Sequence, residues 1–203
     1  ENLRYNRVMR TVVGVLRGGP SSEYEVSLKT GASVLEHLDR EQYDPRDIFI
    51  SRDGTWHLHG IAVPPEKALH GLDVAFNAMH GEYGEDGQVQ RLLERLGTPY
   101  TGSGVIASST AFNKHLTKQE AKKLGVKVAH GVVVENTGDS EALARQVFRS
   151  FPHPAIIKPV AGGSSVGTTI ANNFHQLEFA LDQAFKASPQ ALVEEYIKGR
   201  EAT

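Results

Sequence analysis

The sequence predicts an α/β fold in two parts, an open parallel, Rossmann-like α/β domain over residues 1–101 followed by an α+β unit over residues 102–203. Strands and helices alternate in the first part, as they do in open parallel sheets. After Thr101 the order of elements changes, and a Gly/Ser-rich loop separates two of the predicted strands. With 203 residues, 39% of them hydrophobic, the chain is long enough to bury two small cores.

The first part begins with an apolar, β-branched run at residues 11–16 that ends at a Gly-Gly-Pro turn, which is typical of a strand. Apolar residues at helical spacing follow, and Ser22 and Glu25 have the spacing of a capping box that would start this helix. Further strands are predicted at residues 48–50 and 74–77, and a further helix at 88–96.

The second part has its own pattern of helices and strands, which predicts a compact α+β unit. Helices are predicted near residues 114–124, 141–151 and 176–187, and strands near 128–134, 155–158, 168–170 and 191–195.

Composition narrows the function classes. The net charge is −2 and the basic residues are scattered, so nucleic acid is not an expected partner. There is no cysteine, which excludes disulfides and thiolate metal sites. No apolar run reaches the roughly 20 residues that span a bilayer. We expect a cytoplasmic enzyme without membrane contact, trimmed at both ends because the sequence starts with Glu1 and stops at Thr203 without a helix or turn signal.

Residues 18–23, Gly-Gly-Pro-Ser-Ser-Glu, follow the first strand, at the sheet edge where ligands bind in open α/β folds. The loop lacks the third glycine of a dinucleotide fingerprint. Glu23 has two interpretations: a first-turn carboxylate favoured by the helix dipole, or a carboxylate that receives a ligand's ammonium group.

Residues 77–87 form a second glycine-rich, acidic loop after a strand. Asp86 suits a helix N-cap, which needs no ligand. His80 has two interpretations: an ordinary histidine without a ligand, or a binding residue, which its position just beyond the end of the strand makes more plausible than for other histidines.

Residues 158–167, Lys-Pro-Val-Ala-Gly-Gly-Ser-Ser-Val-Gly, offer backbone N–H groups and hydroxyls that could form an anion-binding nest. The loop is not a Walker motif, because its lysine lies upstream and it joins two strands. A β-hairpin with a glycine bulge is the structural alternative.

Residues 191–201 run from an apolar strand into paired carboxylates. The segment is either a solvated strand end or a strand edge that receives an adenine and the ribose hydroxyls. The sequence of this segment alone does not distinguish these two interpretations.

Taken in order, these segments resemble the D-alanine–D-alanine ligase family, whose members have the ATP-grasp fold, over residues 12–203. The stretches that carry the resemblance are GGPSSEYEVSL at 18–28, NAMHG and GEDG within 77–87, PYTGSG at 99–104, KP at 158–159, GSSVG at 163–167, VEE at 193–195 and GRE at 199–201.

The resemblance implies a pre-ATP-grasp N-terminal domain and a central ATP-grasp subdomain, with the C-terminal ATP-grasp domain missing. Glu23 would hold the amino group of the first D-alanine together with Ser164 as the catalytic pair, and His80 would lie close to the same substrate. The residues implied to contact ATP are Lys114, Lys158, Gly163, Ser164, Ser165, Val166, Glu194, Glu195, Tyr196, Ile197 and Glu201.

The implied reaction joins two D-alanines for peptidoglycan synthesis, using ATP and Mg²⁺ and passing through an acyl phosphate. Family members are typically homodimers. The resemblance places the Mg²⁺ carboxylates in the missing domain, so this chain is expected to hold no metal and to be inactive alone. D-Lactate or D-serine as the second substrate remains an alternative, as does a non-catalytic nucleotide-binding fragment.

This chain departs from the family at two positions. Many relatives have glutamate where it has Gly162 and aspartate where it has Asn113. Either change could alter the charge of the loop or the affinity for nucleotide.

Overall fold

The computed structural model describes residues 9–163 and 167–200 and divides into two compact units between Ser109 and Thr110. The sequence-based boundary at residue 101 lies several residues earlier. The intervening segment stays with the first unit in part through Ser108, which is buried and bonds back along the chain. Its N–H donates to the Gly104 carbonyl at 2.9 Å and its hydroxyl to the Ser103 carbonyl at 3.1 Å.

The first unit contains a mixed sheet in the order β4-β3-β2-β1-β5 among its described residues. Strands β1, β2 and β5 are parallel, which confirms the predicted parallel α/β character, and β3 and β4 add an antiparallel edge that the sequence did not reveal. The elements are β1 (Thr11–Gly18), α1 (Tyr24–His37), β2 (Tyr43–Ile50), β3 (Trp56–Leu58), β4 (Ile61–Ala62), α2 (Pro65–Ala68), β5 (Val74–Asn77), α3 (Gln88–Arg95) and α4 (Val105–Phe112).

Strand β1 lies between β2 and β5 and is buried on both faces. Val13 and Val15 belong to a core cluster with α1 side chains, whereas Leu16 belongs to the cluster on the other face. Leu16 pairs with Asn77 at the end of the parallel strand β5. The loops after β1 and β5 therefore leave the same edge of the sheet.

Two predicted helix caps are different in the structure. The Ser22 capping box is wrong: α1 begins at Tyr24, and the Ser22 hydroxyl donates to Glu82 instead of accepting from the helix. The N-cap of α3 is Gly87 and not Asp86. Asp86, the residue before this N-cap, nevertheless accepts the N–H of Gln88 at 2.9 Å. It therefore still satisfies one of the N–H groups that the first turn of α3 leaves without a helical partner.

The second unit has an antiparallel sheet in the order β6-β9-β7-β8 among its described residues, which confirms the predicted α+β unit. Its glycine-rich loop joins two strands, as predicted. The elements are α5 (Lys114–Lys123), β6 (Gly131–Glu135), α6 (Ser140–Ser150), β7 (Ala155–Pro159), β8 (Thr169–Ala171), α7 (Phe174–Ala187) and β9 (Gln190–Glu195).

The two faces of this second sheet have different chemistry because successive side chains on a strand point in opposite directions. On one face, Ile157 and Val193 pair in register and belong to the apolar core that α6 and α7 complete. Lys158 and Glu194 are the next residues along the same strands and therefore lie on the opposite face. A lysine and a glutamate are thus presented away from the core.

Among the described residues, none of the helices combines the length and the hydropathy needed to cross a bilayer.

Candidate functional site

In the first unit, Glu23 lies where the loop after β1 meets the start of α1. Its N–H donates to the Ser21 hydroxyl at 3.0 Å, and its carbonyl accepts the N–H of Ser27 at 3.0 Å. Its carboxylate is half-buried and has no hydrogen bond or ion pair with any described residue. The backbone is therefore fixed while the charged group remains available to a ligand.

His80 follows β5 and is held on three sides. Its N–H donates to the Ser27 hydroxyl at 2.7 Å, its Nε2 lies 2.9 Å from Thr30 Oγ1, and its Nδ1 lies 3.3 Å from Glu85 Oε1. Ser27 and Thr30 are both on α1, so these bonds fix the imidazole beside the helix that starts after Glu23.

Glu82 is a residue of this site that the sequence analysis missed. One of its oxygens accepts the Ser21 hydroxyl at 3.0 Å, the Ser22 N–H at 3.2 Å and the Ser22 hydroxyl at 3.3 Å. Burial alone would raise the pKa of this carboxyl, but these bonds and one from its own backbone N–H hold the pKa below its ordinary value. Glu82 thus ties the loop after β5 to the loop that carries Glu23.

In the second unit, backbone contacts bring the start of α5 to the end of β7. Asn113 forms an antiparallel bridge with Ala161, and the N–H of Lys114 donates to the Val160 carbonyl at 2.9 Å. The Asn113 side chain caps α5 by accepting the N–H of Leu116 at 3.0 Å, a bond that an aspartate could also accept. The Asn113 departure therefore preserves the cap.

Glu194 is the centre of the charged cluster on this face of the sheet. Its Oε1 pairs with Lys118 Nζ and its Oε2 with Lys158 Nζ, so each oxygen carries one ammonium group. The Glu194 side chain is 7% exposed, and those of Lys118 and Lys158 are 16% and 26% exposed. Burial alone would raise the pKa of the Glu194 carboxyl, but the hydrogen bonds and charges of both lysines hold it below its usual range.

Gly131 makes this close packing possible. A Cβ on Gly131 would lie 2.9 Å from the Val193 carbonyl oxygen, 3.0 Å from Glu194 Cγ and 3.1 Å from Lys118 Nζ. The approach to the carbonyl oxygen is shorter than real Cβ contacts, and the other two are tight, so a larger residue would force the strand or the ion pair to shift.

Lys114 is bonded to the glycine-rich loop and not to Glu194. Its Nζ donates to the Gly162 carbonyl at 2.8 Å. Burial lowers the pKa of Lys114, the neighbouring Lys158 charge lowers it further, and Glu194 offsets part of this effect. Gly162 has a φ of +131°, a conformation that favours glycine, so the backbone here suits the residue that departs from the family pattern.

These charged groups line one cavity of about 240 Å³. Three ammonium groups and one carboxylate leave the lining with two net positive charges. A partly buried cavity with that charge is suited to a polyanion. The lining residues are Ala111, Lys114, Thr117, Lys118, Lys158, Leu192 and Glu194.

Three further predicted ATP contacts, Glu195, Tyr196 and Ile197, end or follow β9. The Glu195 carboxylate accepts the His130 N–H at 2.7 Å, whereas Tyr196 and Ile197 are 41% and 63% exposed. Gly163 is half-buried. An adenine role for Glu194 through Ile197 stays a prediction. The remaining predicted residues, Ser164, Ser165, Val166 and Glu201, lie outside the described residues.

In residues 9–163 and 167–200, no group of three or more His, Asp or Glu side chains is placed to hold a metal ion.

The geometry defines two sites: a Glu23 carboxylate unpaired among the described residues with a fixed imidazole on a Rossmann-like sheet, and a lysine-lined anion cavity on an α+β unit. Two family models match this chain, "D-ala D-ala ligase N-terminus" over residues 12–67 and 61–103 and "D-ala D-ala ligase C-terminus" over residues 121–203. The chain belongs to the D-alanine–D-alanine ligase family.

Similar proteins agree with this assignment. D-alanine–D-alanine ligases of Geobacter sulfurreducens and Chlorobium luteolum are 41% and 36% identical to the chain, and each alignment covers 94% of it. The chain spans 56% and 63% of their lengths.

Solved structures of the family have the same fold. The D-Ala:D-Ser ligase VanG of Enterococcus faecalis has a TM-score of 0.81, with 27% identity over 94% of this chain and 64% of its own. The D-alanine–D-alanine ligase of Coxiella burnetii has a TM-score of 0.79, with 27% identity over 94% of this chain and 63% of its own.

Glu82→Gln should destabilise the first unit by about 1 kcal/mol at neutral pH, because an amide accepts the serine and backbone donors less strongly than a carboxylate. The folded pKa of Glu82 is depressed, so its contribution is complete above the unfolded pKa and is lost as the pH falls through the folded pKa. Urea unfolding from pH 7 down to pH 3 measures the difference between the two proteins. That difference should shrink in acid, whereas exposed Glu41→Gln should have little effect throughout. A difference that stays constant with pH would contradict the carboxylate role.

Proposed function

We propose that the protein to which this chain belongs joins two D-alanines to D-alanyl-D-alanine at the expense of ATP. The observation that carries the proposal is the lysine-lined cavity beside the glycine-rich loop, in a chain that belongs to this ligase family. By the same family resemblance, we include in the proposal a homodimer, Mg²⁺ as cofactor, and a cytoplasmic enzyme that supplies peptidoglycan synthesis.

The proposed reaction has two steps. A carboxylate oxygen of the first D-alanine attacks the γ-phosphorus of ATP, ADP leaves, and an acyl phosphate forms. The amine of the second D-alanine then attacks the acyl carbon, phosphate leaves, and the attacking nitrogen loses a proton. Such phosphoryl transfer depends mainly on positioning and charge stabilisation.

The second unit is equipped for the phosphate part of this reaction. Lys114 and Lys158 supply ammonium groups to the cavity, and we propose the N–H groups of Gly162 and Gly163 as further donors. Anion binding would also stabilise the charged form of Lys114, which burial and Lys158 disfavour in the free protein. The cavity therefore gains most from a ligand with several negative charges.

The first unit is equipped for an amino acid. The Glu23 carboxylate can receive the ammonium group of a D-alanine, which turns the substrate carboxylate away from it. His80, fixed by Thr30 and Glu85, would lie near the same substrate. Charge pairing at Glu23 thus selects the orientation of a zwitterion.

A D-alanine–D-serine ligase is the second candidate, because a D-Ala:D-Ser ligase is among the solved structures with the same fold. D-Lactate is the third possible second substrate. All of them share the first step and differ only in the nucleophile that attacks the acyl phosphate.

ADP release by the whole protein distinguishes these candidates. D-Alanine alone should support ADP release and dipeptide formation, whereas mixtures of D-alanine with D-serine or D-lactate should not yield mixed products at a comparable rate. A faster mixed product would reassign the second substrate. Nucleotide binding without ADP release in any mixture would support the non-catalytic alternative.

Glu23→Gln should raise the KM for the first D-alanine by roughly ten- to a hundredfold, the cost of about 1.5–3 kcal/mol for losing a hydrogen bond to a charged group. The KM for ATP should change much less. Steady-state kinetics with each substrate varied in turn measure both values. Exposed Glu36→Gln on the same helix is the matched control, and an unaltered dependence on D-alanine in Glu23→Gln would refute the ammonium contact.

A further inference from the structure

We infer that Lys118 is a positioning residue for the nucleotide site: it neutralises Glu194 so that Lys158 presents its positive charge to the phosphates, and it does not bind phosphate itself. The inference rests on the proposed nucleotide site. It assigns a role to a residue that the sequence analysis did not select.

The first step of the argument is geometric. Glu194 is on β9, which lies between β6 and β7, so the backbone that carries its carboxylate is held by two neighbouring strands. Lys158 is on β7, and Lys118 approaches from α5. The carboxylate therefore uses one oxygen for each lysine, and both partners are fixed by separate elements.

The second step concerns charge. Glu194 and Lys158 alone would form a neutral pair, which would leave Lys114 as the remaining cation of the cavity lining. Adding Lys118 makes this cluster of three charges positive by one unit. Because Glu194 is buried, its negative charge is poorly screened and would repel a phosphate if Lys118 were absent.

The third step separates Lys118 from the other two lysines. Lys114 bonds to the Gly162 carbonyl, and Lys158 begins the segment that leads into the glycine-rich loop, so both are tied to that loop. Lys118 lies one helical turn after Lys114. Of the two lysines that pair with Glu194, Lys118 has the less exposed side chain. A Cβ on Gly131 would approach its ammonium group at 3.1 Å, which indicates that Lys118 is enclosed beside β6.

The test is ATP affinity measured by isothermal titration calorimetry on the whole protein, without D-alanine. Lys118→Met should weaken ATP binding by about tenfold or more because Glu194 then neutralises Lys158, which removes one positive charge from the cluster that faces the phosphates. Adding Glu194→Gln to Lys118→Met should restore most of the loss, since the repelling charge is removed with its counter-ion. Adenosine, which has no phosphates, should bind Lys118→Met with an affinity within about threefold of that of the unsubstituted protein.

Lys122→Met, at an exposed position of the same helix, is the matched control and should leave ATP binding unchanged. If Lys118→Met fails to fold, Lys118→Gln takes its place. Glutamine keeps a hydrogen-bond donor toward Glu194 but lacks the positive charge, so the loss of ATP affinity should be the same.

Two results would overturn the inference while leaving the proposed function in place. One is unchanged ATP binding in the Lys118 variants. The other is a double variant that binds ATP as weakly as Lys118→Met but binds adenosine as well as the unsubstituted protein, because a direct phosphate contact would then be lost in both variants. Absence of ATP binding by the unsubstituted protein would overturn the proposed nucleotide site and this inference with it.

Discussion

The buried carboxylate of Glu194 is the constraint on which the charged face of the second unit depends. A carboxylate in this position must be paired, because isolating its charge from water without a partner costs far more than a protein of ordinary stability can tolerate. Two ammonium groups from different elements meet this requirement. Their pairing fixes the directions from which α5 and β7 supply their lysines.

The register of the second unit's sheet determines which residues surround the Glu194 carboxylate. The antiparallel register places Glu194 beside Ile156 on β7, so Lys158 lies two positions further along the same face. On the other side of β9, Glu194 pairs with Gly131, where the missing side chain leaves room for Lys118. A polar cavity is thus built on one face of a sheet whose other face is an apolar core.

Much of the fold could be predicted from the sequence, because periodicity is a local property. The apolar runs that begin at Ala155 and Ala191 predicted the buried strands that carry Lys158 and Glu194, and the helical pattern predicted α5 with Lys114 at its start. The short strands β3 and β4, of three and two residues, do not have enough length to show any period.

The contacts that depend on loop packing could not be predicted. Ser22 has the spacing of a helix cap, but Glu82 from a distant loop accepts its hydroxyl, and the cap is lost. Glu82 itself carried no local signal, since its serine partners are some sixty residues away. Lys118 did carry a local signal, because its spacing of four residues from Lys114 puts both lysines on one face of a helix.

The most direct test of this account is the reactivity of individual lysines. Acetylation by an amine-reactive ester, followed residue by residue with mass spectrometry, should slow by about tenfold or more at Lys114 and Lys158 when ATP is added well above its Kd. Lys122 should react at the same rate with and without ATP, and adenosine should give no such protection. Equal acetylation of Lys114 and Lys158 with and without ATP would contradict the claim that these two lysines bind the phosphates of a nucleotide.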